Sequence, residues 1–97
     1  MEGMKYDGDK PRYDLIDAEM LEGLAKVLTF GSKKYSDDNW KKVEDGQARY
    51  YSALLRHLEA SRKGEKIDPE TGLPHAFHVM ANCMFYGWND LNLIKED

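Results

Sequence analysis

Cysteine occurs once in this 97-residue chain, at position 83. A lone thiol excludes an intrachain disulfide framework and any zinc site built from several cysteines, and it fits a reducing cytoplasm. Long apolar runs are missing too. Nothing approaches the ~18 residues that a membrane span needs, and no secretory apolar region follows the N-terminus. A basic excess is also absent: 14 Lys and Arg stand against 18 Asp and Glu, for a net charge of -4. That argues against a partner that is a nucleic-acid polymer, which calls for a basic stripe. A small anionic ligand is still admitted, because a few cations suffice to line one pocket. Period-two alternation of β-branched residues is absent as well, which speaks against strands. Internal repeats and low-complexity tracts are not found.

What remains is helical. Residues 1–16 are polar, with turn signals at Asp7-Gly8-Asp9-Lys10-Pro11, and read as an extended arm that Tyr13, Leu15 and Ile16 anchor. Asp17 suits an N-cap. Met20, Leu21, Leu24, Ala25, Val27 and Leu28 recur at helical spacing, giving a first helix to about Phe30. Gly31 bends or ends it, with Ser32–Tyr35 as a further turn. A second helix runs from Asp45-Gly46 to about Lys63, with Gly64 as the residue just beyond its end. The loop from Glu65 to Leu73 carries turn signals at Asp68-Pro69 and Thr71-Gly72. Pro74 pre-organises a third helix from His75 to Leu91 or beyond. The expected fold is a single all-α domain over 1–97, a three-helix bundle whose core is the Tyr50/Tyr51, Leu54/Leu55, Leu58 stripe with Phe77, Met80, Ala81, Met84, Trp88 and Leu91. Three helices make a thin core, and a chain this short is marginal alone. Dimerisation is the expected remedy.

All three histidines, His57, His75 and His78, fall in one helix-loop-helix. Histidine is the commonest metal ligand and the usual proton shuttle near neutral pH. His75, His78 and Asn82 follow one another at helical spacings of three and four, so they share a face. Arg56 and Glu59 share a face by the same rule. A short loop makes the second and third helices antiparallel, which brings Glu59, the loop acids Glu65, Asp68 and Glu70, and the two histidines to one end of the bundle. Each of these residues taken alone also suits a solvated surface; their convergence is what suggests a site. Imidazole and carboxylate together suit a divalent cation, with imidazole shifting the preference from Mg²⁺ towards Mn²⁺, Fe²⁺, Ni²⁺ or Zn²⁺. A metal with open positions activates water and clamps phosphate oxygens.

A second cluster is Lys33-Lys34-Tyr35 followed by Asn39-Trp40. The lysines suit phosphates. Tyr35 or Trp40 suits stacking on a base, and Asn39 has the donor and acceptor that read a purine edge. The alternative is a basic helix end complementing the dipole, with the aromatics packed on the core. Lys10, Arg12 and Tyr13 in the arm are a further candidate for contact with a ligand.

Lys10-Pro11-Arg12-Tyr13-Asp14-Leu15-Ile16, Phe30-Gly31-Ser32-Lys33-Lys34-Tyr35 with Asn39-Trp40, Arg56-His57-Leu58-Glu59-Ala60, Gly64-Glu65, Asp68-Pro69-Glu70-Thr71-Gly72 and His75-Ala76-Phe77-His78 occur here in that order. The combination resembles the N-terminal domain type of phage dATP/dGTP diphosphohydrolases, a group related to the all-α MazG-like nucleoside triphosphate pyrophosphohydrolases. The resemblance implies a helical bundle, a homodimer or homotetramer, and Mg²⁺- or Mn²⁺-dependent cleavage of a purine deoxynucleoside triphosphate to monophosphate and pyrophosphate. The wider superfamily carries ExxE and ExxD motifs where this chain has Arg56-xx-Glu59 and His75-xx-His78, so its metal site is partly rebuilt. On this reading Glu59, Asp68, His75 and His78 hold the metal. Glu59, Glu65 and Glu70 are the catalytic carboxylates. Lys33, Lys34 and Arg56 meet phosphates, and Tyr35, Asn39, Trp40, Arg12 and Asn82 complete the substrate site. A non-catalytic module that binds a nucleotide or a protein is the competing expectation.

Overall fold

A computed structural model describes residues 3–96 of the chain. Three α-helices account for most of it: α1 (Ala18–Lys34), α2 (Gly46–Arg62) and α3 (His75–Glu96). Two short 3-10 turns, Tyr13–Leu15 and Asn39–Lys42, precede α1 and α2. The all-α class expected from the sequence is what forms.

The helix ends follow local chemistry. The Asp17 carboxylate accepts from the Met20 N–H at 3.0 Å, as an N-cap should. Gly31 does not stop α1, which runs on until Tyr35 caps it by donating its N–H to Gly31 O. At the end of α2, the Gly64 N–H bonds Ser61 O and the Glu65 N–H bonds Ala60 O, both at 3.0 Å. That is the Schellman pattern, and the φ of +109° at Gly64 is the left-handed conformation it requires.

α2 and α3 pack antiparallel. Gln47 meets Asp90, Tyr50 meets Phe85 and His57 meets His75, so numbers rise on one helix as they fall on the other. The seam on α3 is His75, His78, Asn82, Phe85 and Asn89, spaced three and four apart. It is more polar than the expected core. His75, His78 and Asn82 are buried. Asn82, Asn89 and Asn92 satisfy their amides by donating to the carbonyl four residues back on the same helix, which removes most of the cost of burying an amide. The face of α3 carrying the histidines is therefore packed against α2.

This corrects the expected core. Tyr51, Leu55, Leu58 and Leu91 are exposed, between 40% and 53%. The reason lies in helix geometry: Tyr50, Leu54 and His57 lie about 100° around α2 from Tyr51, Leu55 and Leu58, and only one of those stripes faces α3. α1 packs on α3 through Gly23, where an added Cβ would stand 2.6 Å from the Phe77 ring. Tyr13, Leu15 and Ile16 do not anchor the arm on the helices; they are 79%, 70% and 52% exposed. The radius of gyration is 16.7 Å, against about 13 Å for a compact chain of this length; the exposed arm contributes to this, and the bundle is open because α1 packs on α3 rather than on α2.

Candidate functional site

Between the C-terminal half of α1, the 3-10 turn before α2, and the α2–α3 hairpin lies a cleft of about 900 Å³. Both sequence clusters reach it. Lys33, Lys34, Tyr35, Asn39 and Trp40 line one side; Arg56, Asp68, Glu70, His78 and Asn82 line the other. These segments, distant in sequence, meet because the antiparallel hairpin returns the chain to the tip of α1.

The aromatics divide into two roles. Trp40 stacks on Phe85 at 4.8 Å and meets Trp88 edge-on at 5.2 Å, so its ring is engaged with α3. Tyr35 is 64% exposed, with the Lys34 ammonium 5.4 Å from its ring. Lys34 also bonds Glu70 at 3.2 Å across the cleft. That hydrogen bond holds the Lys34 pKa above its ordinary value. Arg56 donates to Ser52 on its own helix and keeps its remaining donors.

The loop between α2 and α3 is tightly built. Ile67 and Pro74 form an antiparallel bridge, and the His75 N–H bonds Lys66 O at 2.8 Å. Gly72, at φ +72°, closes the turn by donating to Asp68 O. Asp68 Oδ2 accepts from the Thr71 N–H at 2.9 Å and from the Thr71 hydroxyl at 3.0 Å. Burial works to raise the Asp68 pKa. The two Thr71 hydrogen bonds and the nearby His78 and His57 outweigh it, and the net shift is downward.

The three imidazoles converge beneath this loop. His57 Nδ1 lies 2.8 Å from His75 Nδ1, and His75 Nε2 lies 2.7 Å from Glu65 Oε1. The His57 ring stacks on His78 at 4.5 Å and 10°. His78 Nε2 reaches the Thr71 hydroxyl at 2.7 Å. Burial, followed by the neighbouring His78, lowers the His57 pKa, and burial likewise lowers that of His78, with Asp68 opposing in both. Both rings are therefore biased towards the neutral, lone-pair-bearing form that binds metals. Donor atoms of His57, Asp68 and His75 all fall within 4.8 Å of one another. This donor set of two imidazoles and one carboxylate fits a divalent cation.

Other expected residues lie elsewhere. Glu59 bonds Arg62 at 2.6 Å, which holds its pKa low, and with Glu65 it borders a separate groove by Arg56 and Lys63. Glu65 is tied to His75, and Arg12 pairs with Asp14 at 2.7 Å in the exposed arm. His57 and Thr71 were missing from the expected site residues. His57 carried half a signal: it and Glu59 lie about 200° apart on α2, so only one of them can face α3, and the helix pattern by itself does not say which. Thr71 gave no signal beyond its place in a turn.

The whole chain, residues 1–97, matches the family model described as "dATP/dGTP diphosphohydrolase, N-terminal". The chain belongs to that family. Over 90 residues it is 39% identical to the dATP/dGTP diphosphohydrolase of Salmonella phage PMBT28, a match covering 91% of this chain and 30% of that relative. The chain thus spans about a third of the length of the curated relative it matches. No solved structure matches it. Among the described residues of this family member, no helix is long and apolar enough to cross a membrane.

Proposed function

We propose that the cleft binds a purine deoxynucleoside triphosphate and that the domain hydrolyses it to the monophosphate and pyrophosphate in the cytoplasm of the phage host. The observation that carries this reading is the meeting, in one cleft, of exposed cations, an exposed aromatic and the His57 and Asp68 members of a histidine-carboxylate cluster that His75 completes behind them. The name of the phage relative supports the substrate class.

In this reading Lys33, Lys34 and Arg56 neutralise the phosphates. Tyr35 stacks on the base, with Asn39 and Asn82 offering amides to its edge. Trp40 is a wall held in place by Phe85 and Trp88. His57, Asp68 and His75 would hold the divalent metal, whose chemistry when bound is to offset phosphate charge and activate water. Of the three carboxylates expected to act on water, Glu70 is the one lining the cleft. When a phosphate takes Lys34, the Glu70 carboxylate is released to accept a proton. Glu65 serves by orienting His75.

The open bundle, with Tyr51, Leu55 and Leu58 uncovered, supports assembly as a homodimer or homotetramer. A second reading, a nucleotide-binding module without catalysis, is favoured by one observation: the phage relative carries about twice as much chain again outside the matched region. Incubating the purified chain with each dNTP and Mn²⁺ or Mg²⁺ separates the two. Release of dNMP and pyrophosphate from dATP or dGTP is expected. No turnover by a folded protein that dATP nonetheless stabilises against heat would favour the binding module.

A further inference from the structure

The histidine end of the cleft carries a hydrogen-bond order that phosphate binding alone does not need. We infer that His57, Asp68 and His75 form a two-histidine, one-carboxylate site that selects a transition-metal ion over Mg²⁺, with Glu65 and Thr71 as its positioning residues. This deepens the metal assignment made within the proposed function.

The hydrogen bonds determine which lone pairs are presented. A carboxylate accepts only, so His75 Nε2 donates its proton to Glu65 Oε1 across 2.7 Å. In the neutral ring that leaves the lone pair on His75 Nδ1, facing His57 Nδ1 at 2.8 Å. With no cation bound, His57 Nδ1–H donates to that lone pair; a cation binding there takes the place of that proton and meets both nitrogens. An imidazole whose far nitrogen is held by a carboxylate is the usual outer arrangement of a metal-binding histidine. His75 is only 3% exposed, so its ring is fixed by packing as well.

Asp68 is ordered by the same logic. The Thr71 hydroxyl has one proton, and Asp68 Oδ2 accepts it at 3.0 Å. His78 Nε2, 2.7 Å from that hydroxyl oxygen, is then the donor to Thr71. His78 lies flat against His57 and stands outside the group of donor atoms that gather within 4.8 Å, which makes it a wall of the site. The remaining donors are two nitrogens and one carboxylate. Mg²⁺ demands near-octahedral oxygen coordination and dehydrates reluctantly, whereas imidazole suits Mn²⁺, Fe²⁺, Co²⁺ and Zn²⁺.

The test uses chelator-stripped, nucleotide-free protein. Melting temperature is followed with Mn²⁺, Co²⁺, Zn²⁺ and Mg²⁺, and Co²⁺ binding is read from its visible absorption. The three transition ions raise the melting temperature at concentrations where Mg²⁺ does nothing, and Co²⁺ gives ligand-field bands. Glu65→Gln and Thr71→Val each weaken Co²⁺ binding by about 10–100-fold, and Thr71→Ser restores it. Mg²⁺ stabilising as well as Co²⁺, or unchanged Co²⁺ affinity in Glu65→Gln or in a folded His57→Ala, overturns the inference. The hydrolase reading fails separately: Co²⁺ bound tightly at His57 with no dNTP turnover sinks it and leaves the metal site standing. Turnover with Mg²⁺ in a protein that binds no Co²⁺ does the reverse.

Discussion

His57 and Glu59, two residues apart on α2, have different fates because a helix turns about 200° between them. His57 enters the cluster under the α2–α3 loop, and Glu59 turns outward to Arg62. The buried rings carry a pH prediction. His57 and His78 both have pKa values lowered in the fold, chiefly by burial. The unfolded chain therefore binds more protons, so stability rises with pH through that window. Their contribution is complete above the unfolded histidine value of about 6.5 and is lost as pH falls below it. Asp68, also lowered, adds a further loss below about 4. Metal-free protein should thus unfold at lower temperature at pH 5 than at pH 7.5, and a flat or rising profile towards acid would contradict the assignment. At the cleft rim, Tyr35→Ala should weaken dATP binding by about 1–3 kcal/mol while leaving thermal stability close to wild type. Calorimetric titration reads the first quantity and a melting curve the second.

The elements act through two glycines. Gly64 lets α2 end in a Schellman turn, and that turn delivers Glu65 to His75. A Cβ at φ +109° is strained, so Gly64→Ala should cost about 1 kcal/mol in urea unfolding. It should also loosen Co²⁺ binding, because the carboxylate that fixes His75 is displaced. Gly23 sets the approach of α1 to α3, with the Phe77 ring 2.6 Å from where a Cβ would stand. Alanine there gains ~1 kcal/mol of helix propensity, but overpacking costs about 1–3 kcal/mol. A net loss near 1 kcal/mol is expected, with weaker nucleotide binding as α1 moves off α3. Stabilisation in denaturant would show that the contact yields freely. Helix limits were largely legible in the sequence: Asp17 starts α1, Pro74 precedes α3 and Gly64 follows α2. The end of α1 was legible only as lying between Phe30 and Tyr35, because a glycine permits either a stop or a further turn; the further turn forms, and the Gly31 carbonyl accepts from Tyr35.

Across the whole molecule, apolar surface is left over. Tyr51, Leu55 and Leu58 on α2 and Leu91 and Ile94 on α3 stay at least 40% exposed, and the core between the helices is partly polar. A second copy covering this surface would supply the burial that a chain of 97 residues lacks. Light scattering should find a dimer or tetramer, and the double substitution Leu55→Lys, Leu58→Glu should shift it towards monomer without touching the cleft. A monomeric wild type at the same concentration would end that expectation.

Sequence by itself determined the class and the parts. Helical periodicity with caps and a proline at the right offsets yields three helices, and a short loop makes the last two antiparallel, so the histidines and loop acids had to share one end. It also held the family-specific order of motifs. Tertiary structure decided the partners. Which of two apolar stripes on α2 faces α3, and hence that His57 joins the cluster and Leu58 does not, depends on the rotation of one helix against another, a quantity with no local signature. Glu65 bound to His75, Thr71 between Asp68 and His78, and Lys34 across from Glu70 are contacts made at hydrogen-bond distance between separate segments. Periodicity supplies the face of a residue but not what stands opposite it.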